Sequence, residues 1–241
     1  MISSSKGIVF HQLKYSETSI IAKIFTEKFG LQSYIIKGAR KKKSKTSPGV
    51  FQHLSLVELT ANHKEKSNIH FLQDVRLTYQ YSSIPYDIHK SSILLLINEI
   101  LYRSIKEEEV NIELFDFISN SLQWLDLRES GYANFHLVFL LQLSKYLGFF
   151  PKGGYSETHN IFNMNSGCFE KTIPNHPSYF NENAAYQFSL LVQVSFENML
   201  DVPLNNTSRN NLLNNIIEYY QLHVPNLGTP KSLKILKEVL S

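Results

Sequence analysis

The order of apolar and polar residues divides the chain into a strand-rich first part and a helix-rich second part. Up to about residue 78, short runs rich in β-branched and aromatic residues are separated by turn-forming residues, which is typical of strands. The pattern predicts five strands, at residues 7–15, 19–29, 31–39, 51–59 and 68–78. Phe29-Gly30 predicts a tight hairpin turn, because glycine reaches positive φ at little steric cost, and residues 62–68 predict a longer hairpin loop.

Five short strands in one flat sheet would leave two edges with unpaired backbone groups. Closing the sheet into a small barrel removes both edges, and proteins commonly solve the edge problem in this way. The strand pattern therefore predicts a five-stranded barrel of the OB type.

After Pro85 the apolar residues recur at helical spacing. The predicted helices span residues 84–105, 111–127, 133–148, 182–200, 207–224 and 231–240, and Thr207 or Ser208 is the expected N-cap of the fifth. Residues 160–171 predict a β-hairpin that turns at Asn165-Ser166-Gly167. The expected fold class is α+β, with an OB-type domain at residues 1–82, a helical domain at 83–241 and a small β-hairpin inserted at about residues 155–175.

Composition is that of a globular chain, with 241 residues, 43% of them apolar and 19% charged. The single cysteine, Cys168, excludes an internal disulfide framework and a four-cysteine zinc site. The N-terminus does not resemble a signal peptide, and no apolar run reaches the ~20 residues that a membrane helix needs. We therefore expect a soluble protein of the cytoplasm with no membrane partner.

Charge is distributed unevenly between the two parts of the chain. Residues 1–82 carry a balance of +8 and residues 83–241 a balance of −5, which together give the net charge of +3. Six of the nine residues from 37 to 45 are basic: Lys37, Arg40, Lys41, Lys42, Lys43 and Lys45. One interpretation of such a run is a loop that only increases solubility and binds nothing. A basic barrel with Phe10, Tyr15 and Tyr34 on neighbouring strands instead favours nucleic-acid binding, with phosphates on the cations and bases stacked on exposed rings.

Residues for enzyme chemistry are nearly absent. The sequence contains no phosphate-binding glycine loop, no dinucleotide-binding fingerprint, and no zinc-protease or nucleophile-elbow motif. His159, Cys168 and His176 do not have the spacing of a usual zinc site, and Cys168 is better explained as a small apolar residue. The sequence predicts no catalysis, no cofactor and no metal.

Several motifs together resemble the bacterial RecO recombination and repair proteins over the whole chain. They are Tyr-Ser-Glu-Thr at residues 15–18, Phe25-Thr26 followed by Gly30, Lys-Gly-Ala-Arg at 37–40, and the segments 135–151 and 219–236. The resemblance implies an OB fold, a helical domain and a role without catalytic turnover. Many members of that family hold zinc with two cysteine pairs, which this sequence lacks.

The resemblance also implies partners. RecO-like proteins bind single- and double-stranded DNA in the nucleoid, anneal complementary strands, and act with RecR in the RecF pathway to load recombinase. They receive the acidic, apolar C-terminal tail of single-strand DNA-binding protein. Such a tail needs an apolar groove with a cation at its rim, and Lys145, Lys231 and Lys234 are the candidate cations.

Two other functions remain open from the residues alone. One is an OB-fold protein that binds RNA, which competition between DNA and RNA of one sequence would distinguish, because the 2′-hydroxyl separates the two. The other is a non-catalytic interaction scaffold whose basic segment meets an acidic protein. A scaffold of this kind would show no length-dependent binding to oligonucleotides.

Overall fold

A computed structural model describes residues 2–39, 48–63, 67–106 and 109–240. The chain forms two compact units, Met1–Leu127 and Arg128–Ser241. The first contains a β-barrel followed by two helices, and the second contains helices around a small sheet.

Five strands of the described residues close into a barrel with neighbour order β1-β2-β3-β5-β4. The strands are β1 (Ile2–Lys14), β2 (Ile20–Thr26), β3 (Gly30–Ile36), β4 (Leu56–Asn62) and β5 (His70–Tyr79). Neighbouring strands are antiparallel except β3 and β5, which are parallel. The prediction of an OB-type barrel is confirmed.

Closure depends on the length of β1. Its first half pairs with β4 from Ile2 to Ile8, and its second half pairs with β2 from Gly7 to Lys14, so that one strand joins both sides of the sheet. Gly7 lies where the two pairings overlap, and a Cβ there would lie only 2.6 Å from Cγ2 of Ile24. A glycine is needed at this position because the interior has no room for a side chain.

The barrel interior is filled by alternate residues of the strands, as the pleat requires. This core consists of Val9, Ile20, Ala22, Ile24, Tyr34, Ile36, Val50, Phe51, Val57, Leu59, Ala61 and Val75. Val50 and Phe51 come from a short 3-10 helix, Pro48–Phe51, that packs into the barrel.

The fourth strand begins later than the sequence predicts, at Leu56 rather than at residue 51. The 3-10 helix occupies the start of the predicted strand, and Leu54 then has a φ of 58°, which no strand residue adopts. The apolar residues of this segment enter the core without forming a strand, so the pattern alone does not distinguish the two conformations. The first strand also begins earlier than predicted, at Ile2.

Two helices follow the barrel within the first unit: α1 (Ile88–Ser104) and α2 (Ile112–Leu127). The Asp87 carboxylate caps α1 by accepting hydrogen bonds from the backbone N–H groups of His89 and Lys90. Because this compact unit ends at Leu127, it is longer than the domain predicted at residues 1–82. That domain boundary stays a prediction.

The carboxylate of Asp126, near the end of α2, holds the segment that leaves the barrel. Asp126 is 2% exposed. It accepts hydrogen bonds from the backbone N–H groups of Ser82, Ser83 and Ile84 at 2.8–2.9 Å and from the Tyr79 hydroxyl at 3.0 Å. Burial by itself raises the pKa of this carboxyl, but the hydrogen bonds favour the charged form and hold the pKa at about 2.

The second unit contains α3 (Phe135–Tyr146), α4 (Glu182–Val192), α5 (Asn206–His223) and α6 (Ser232–Val239). Its described residues also form a three-stranded sheet of β6 (Ile161–Asn163), β7 (Cys168–Glu170) and β8 (Tyr179–Phe180), in the order β7-β6-β8. The predicted hairpin is present as β6 and β7. The third strand, β8, consists of two residues and is too short to leave a period in the sequence.

Two details of these helices differ from the prediction. The helix expected at 182–200 ends at Val192, and a separate 3-10 turn, Met199–Asp201, follows. The N-cap of α5 is Asn205 rather than Thr207 or Ser208, because the Asn205 side chain accepts from the Ser208 N–H at 2.8 Å. Asparagine caps as well as serine, so the choice among neighbouring polar residues depends on geometry.

In the described part of the chain, no helix is both long enough and apolar enough to cross a membrane.

We predict that Asp126→Asn lowers the free energy of unfolding by about 3 kcal/mol, because an amide cannot replace a buried, charged acceptor that is shared by several donors. Denaturant unfolding of the purified protein measures this change. Asp116→Asn, on the exposed side of the same helix, is the matched control and should leave stability nearly unchanged. Equal losses in the two variants would contradict this assignment.

The same carboxylate predicts a pH dependence. Its pKa in the folded protein is about 2, below the ordinary 3.8, so its contribution to stability is complete above about pH 4 and is lost as the pH falls toward 2. The loss should be about 2 kcal/mol larger in the wild-type protein than in Asp126→Asn. If the free energy of unfolding falls in parallel for the two proteins below pH 4, the Asp126 carboxylate does not cause the pH dependence.

Candidate nucleic-acid interface

Four apolar side chains lie in register on the outside of the barrel, one on each of four neighbouring strands. Leu13 pairs with Ile21, Ile21 with Ile35, and Ile35 with Phe71. The neighbours of Ile21 and Ile35 in sequence belong to the interior core, so these two residues face outward. We call Leu13, Ile21, Ile35 and Phe71 the apolar row.

The two ends of the apolar row are open to solvent. Leu13 is 43% exposed and Phe71 is 44% exposed, whereas Ile21 and Ile35 between them are half-buried. Two further exposed apolar residues, Tyr15 and Ile69, lie two positions along the chain from Leu13 and Phe71. The row is separate from the barrel core, which is filled from the other face of the strands.

A cation lies directly above the aromatic end of the row. Lys37 follows the end of β3 and is exposed, and its Nζ lies 4.8 Å from the centroid of the Phe71 ring. An ammonium at this distance interacts favourably with the ring face. Lys37 thus places a positive charge beside an exposed ring at the point where the chain enters the basic run.

On β1 and β2 the outward positions next to the apolar row are covered by a helix. His11 and Lys23 are paired across β1 and β2, and both contact Tyr102 of α1. The ring centroids of His11 and Tyr102 are 5.0 Å apart, and Nζ of Lys23 lies 5.8 Å from the Tyr102 ring. The apolar row therefore lies beside the region of the barrel that α1 covers.

Of the predicted DNA-binding cations, only Lys37 lies within the described residues. Arg40, Lys41, Lys42, Lys43 and Lys45 lie outside them, so their role stays a prediction.

The three aromatic residues considered for stacking, of which some were expected in the core, divide clearly by exposure. Tyr15 is 59% exposed, but Phe10 and Tyr34 are fully buried and cannot contact a base. The Tyr34 hydroxyl is hydrogen-bonded to Nε2 of His63 at 2.9 Å, and burial raises the pKa of Tyr34 well above its ordinary value. Tyr34 is therefore a core residue.

Phe71 is the candidate that the sequence analysis missed. Its strand was predicted, and its neighbours His70 and Leu72 face inward, so strand alternation would have placed Phe71 outside. The sequence does not show that β3 and β5 pair in parallel, which brings Phe71 beside Ile35 and beneath Lys37.

The three predicted partner-binding lysines have separate surroundings within the second unit. Nζ of Lys145 lies 4.7 Å from the Phe150 ring. Lys234 forms an ion pair with Glu238 at 3.8 Å, one helical turn away, and Lys231 is the N-cap residue of α6. Lys231, Lys234 and the 46% exposed Ile235 share one face of α6 because their spacing is three and four residues.

Cys168 and His159 do not belong to a cluster of metal-ligating side chains in the part of the chain that the structure describes. Among the described residues, no group of three or more histidine, cysteine or acidic side chains is close enough to hold a metal ion. Cys168 is half-buried on β7, and His159 contacts the Thr158 hydroxyl at 3.1 Å within an exposed turn.

Aromatic packing holds this sheet to the helices of its unit. The Phe162 ring on β6 contacts the rings of four residues at centroid distances of 4.7–5.5 Å, namely Phe169, Phe180, Phe188 and Tyr219. Phe162 is fully buried. Rings from β7, β8, α4 and α5 thus meet on one strand and bury it.

The closed five-stranded barrel with its parallel β3–β5 pairing identifies an OB fold in the first part of the chain. The apolar row and Lys37 lie on the outer face of this barrel. Two family models divide the chain between them. Residues 1–81 match the model described as Recombination protein O N terminal, and residues 85–233 match Recombination protein O C terminal. The chain belongs to the RecO family of DNA repair proteins.

Curated relatives named DNA repair protein RecO are similar to the chain over its whole length. The protein from Phocaeicola vulgatus is 34% identical over 241 residues, with 100% of each chain covered. The protein from Bacteroides fragilis is 37% identical over 240 residues, with 99% of each covered. The protein from Flavobacterium psychrophilum is 40% identical over 239 residues, with 98% of each covered. The resemblance found in the sequence motifs is confirmed.

We predict that the protein folds without zinc, because its ring cluster rather than a ligand set buries the small sheet. The melting temperature should stay the same with and without a strong chelator. Elemental analysis of protein purified without added metal is the second measurement. Stoichiometric zinc, or a chelator-induced fall in melting temperature, would show that the prediction is wrong.

Proposed function

We propose that this protein is a non-catalytic mediator of DNA repair in the bacterial cytoplasm that binds single- and double-stranded DNA and anneals complementary strands. The observation that carries the proposal is the position of Lys37, which lies above an exposed ring on the outer face of an OB-type barrel. The basic run continues from Lys37 to Lys45 in the sequence. Membership of the RecO family supports DNA as the polyanion.

Charge supplies most of the affinity in this proposal. Lys37, Arg40, Lys41, Lys42, Lys43 and Lys45 neutralise phosphates and release counterions, and such contacts do not read the base sequence. Annealing fits this kind of binding because screening lowers the repulsion between two strands while their bases stay available for pairing.

Partners complete the proposed role. With RecR in the RecF pathway, the protein helps load recombinase onto strands coated by single-strand DNA-binding protein. The absence of the motifs of common enzyme classes from the sequence supports a role without catalytic turnover.

The exposed face of α6 is the proposed receptor for the acidic, apolar C-terminal tail of single-strand DNA-binding protein. It combines the cations Lys231 and Lys234 with the exposed apolar side chain of Ile235. Lys145, beside the Phe150 ring, is the third proposed cation. A tail that ends in apolar residues and a carboxylate needs both kinds of contact.

We predict that changing Lys41, Lys42 and Lys43 together to Glu weakens DNA binding nearly equally for all base sequences. The slope of log affinity against log salt should fall by about two to three units, because each lost phosphate contact contributes ~0.9 for duplex and ~0.7 for single strands. Fluorescence anisotropy titrations at several salt concentrations measure the slope.

The matched control for the lysine run carries Lys152→Glu, Lys171→Glu and Lys237→Glu, which change the net charge by the same amount in the second unit. It should leave the slope nearly unchanged. If the Lys41, Lys42 and Lys43 variant folds and keeps the wild-type slope, the run is only solubilising and the proposed DNA contacts lie elsewhere.

For the tail receptor, we predict that Lys145→Glu, Lys231→Glu and Lys234→Glu together weaken binding of an acidic peptide with an apolar C-terminus by about tenfold or more. The effect should decrease at high salt, since rim charges act through screened electrostatic attraction. The control carries Lys14→Glu, Lys152→Glu and Lys171→Glu, which make the same change of charge outside α3 and α6. Unchanged peptide affinity in the triple variant would place the receptor elsewhere on the protein.

A further inference from the structure

We propose that the apolar row is a stacking surface for the bases of an unpaired strand, and that it makes the protein prefer single-stranded over duplex nucleic acid. Phe71, at one end of the row, is its only aromatic residue and the one on which a base would stack. The inference rests on the proposed DNA binding and identifies the form of nucleic acid that the barrel selects.

The first support is the exposure of the row. Four apolar side chains in register on neighbouring strands span about 14 Å, since strands lie ~4.8 Å apart. Both end residues, Leu13 and Phe71, are more than 40% exposed. Exposed apolar side chains that are contiguous, rather than scattered singly, indicate a binding surface.

The second support is that charge and apolar surface are combined. A nucleotide joins a flat apolar base to an adjacent anionic phosphate, so its receptor needs a ring face and a cation close together. Phe71 and Lys37 meet this need with 4.8 Å between the ring centroid and Nζ. The barrel as a whole lies in the basic part of the chain, where the balance is +8 over residues 1–82.

Duplex DNA cannot use this surface. Its base faces are covered by their neighbours in the stack, and only base edges are accessible in the grooves. A duplex can therefore reach the cations near the row but gains nothing from Phe71, Ile35 or Leu13. An unpaired strand gains from the cations and from the apolar row. Stacking does not depend strongly on which base is present.

Stacking also agrees with strand annealing. A base that lies with one face on Phe71 keeps its hydrogen-bonding edge directed away from the ring, where a complementary base can pair with it. A pocket that bound the base edge would block this pairing. The apolar row is an open surface on the outer face of the barrel, so it satisfies this requirement.

The test measures the affinity of full-length wild-type and Phe71→Ala protein for two fluorescent probes, an oligothymidylate strand of about 20 nucleotides and a duplex of the same length. We expect Phe71→Ala to bind the single strand about tenfold more weakly, because one base stack contributes ~1–3 kcal/mol. Duplex affinity should be unchanged. The salt slope should also be unchanged for both probes, because no charge is removed.

Three further variants make the test specific. Phe71→Tyr keeps the ring and should bind like the wild type, whereas Phe71→Leu keeps apolar bulk without a ring and should behave like Phe71→Ala. Leu77→Ala is the control for lost apolar surface, because Leu77 is 39% exposed on the same strand but lies outside the row. If the melting temperature of Phe71→Ala falls, Phe71→Leu is used instead of Phe71→Ala, and we again expect weaker binding of the single strand with unchanged duplex affinity.

The outcomes separate this inference from the proposed function. A selective loss of single-strand binding in Phe71→Ala, with recovery in Phe71→Tyr, supports the stacking surface. Unchanged single-strand affinity, an equal loss for both probes, or the same loss in Leu77→Ala overturns it, and the row is then a surface for a protein partner or a purely structural feature. If the wild-type protein binds neither probe, the proposed DNA binding itself fails.

Discussion

Closure of the barrel by a single long strand is the constraint on which the candidate interface depends. Because β1 pairs with both β4 and β2, each strand has one face directed into a filled core and the other directed outward. Residues at equivalent outward positions then lie side by side across the strands. The apolar row is a direct result of this register. If one strand shifted by one residue against its neighbour, the row residue of that strand would turn into the core.

The carboxylate of Asp126 has a corresponding role where the chain leaves the barrel. The backbone N–H groups of Ser82, Ser83 and Ile84 lie in a segment without a strand partner, so they need an acceptor. One buried side chain near the end of α2 supplies it and so joins this helix to the last strand of the barrel. A charged acceptor is effective here because several donors offset the cost of its burial.

Sequence periodicity was sufficient for the elements but not for their register. Alternation and helical spacing identified five strands, six helices and the β6–β7 hairpin, because each depends on neighbours in the sequence. The parallel pairing of β3 with β5 depends on residues far apart in the chain, so the place of Phe71 in the row could not be derived. Tyr34 could not be distinguished from an exposed ring because β3 carries apolar residues on both faces, so alternation does not show which face is buried. The six basic residues were visible as a run, but their charge pattern contains no information on which exposed ring lies next to them.

The proposed combination of charge with a stacking surface predicts how nucleic-acid binding depends on salt concentration. Phosphate contacts are weakened by salt because they act through released counterions, whereas stacking on Phe71 involves no ions. In the proposed arrangement the cations would bind any nucleic acid at low salt, and the contribution of the row would be a small part of the total. As the salt concentration rises, counterion release becomes less favourable and the phosphate contacts weaken for duplex and single strand alike. The proposed stacking contribution for unpaired strands is not reduced in this way. In this proposal, discrimination in favour of single strands depends on the uncharged contacts of the barrel, while the basic residues determine total affinity.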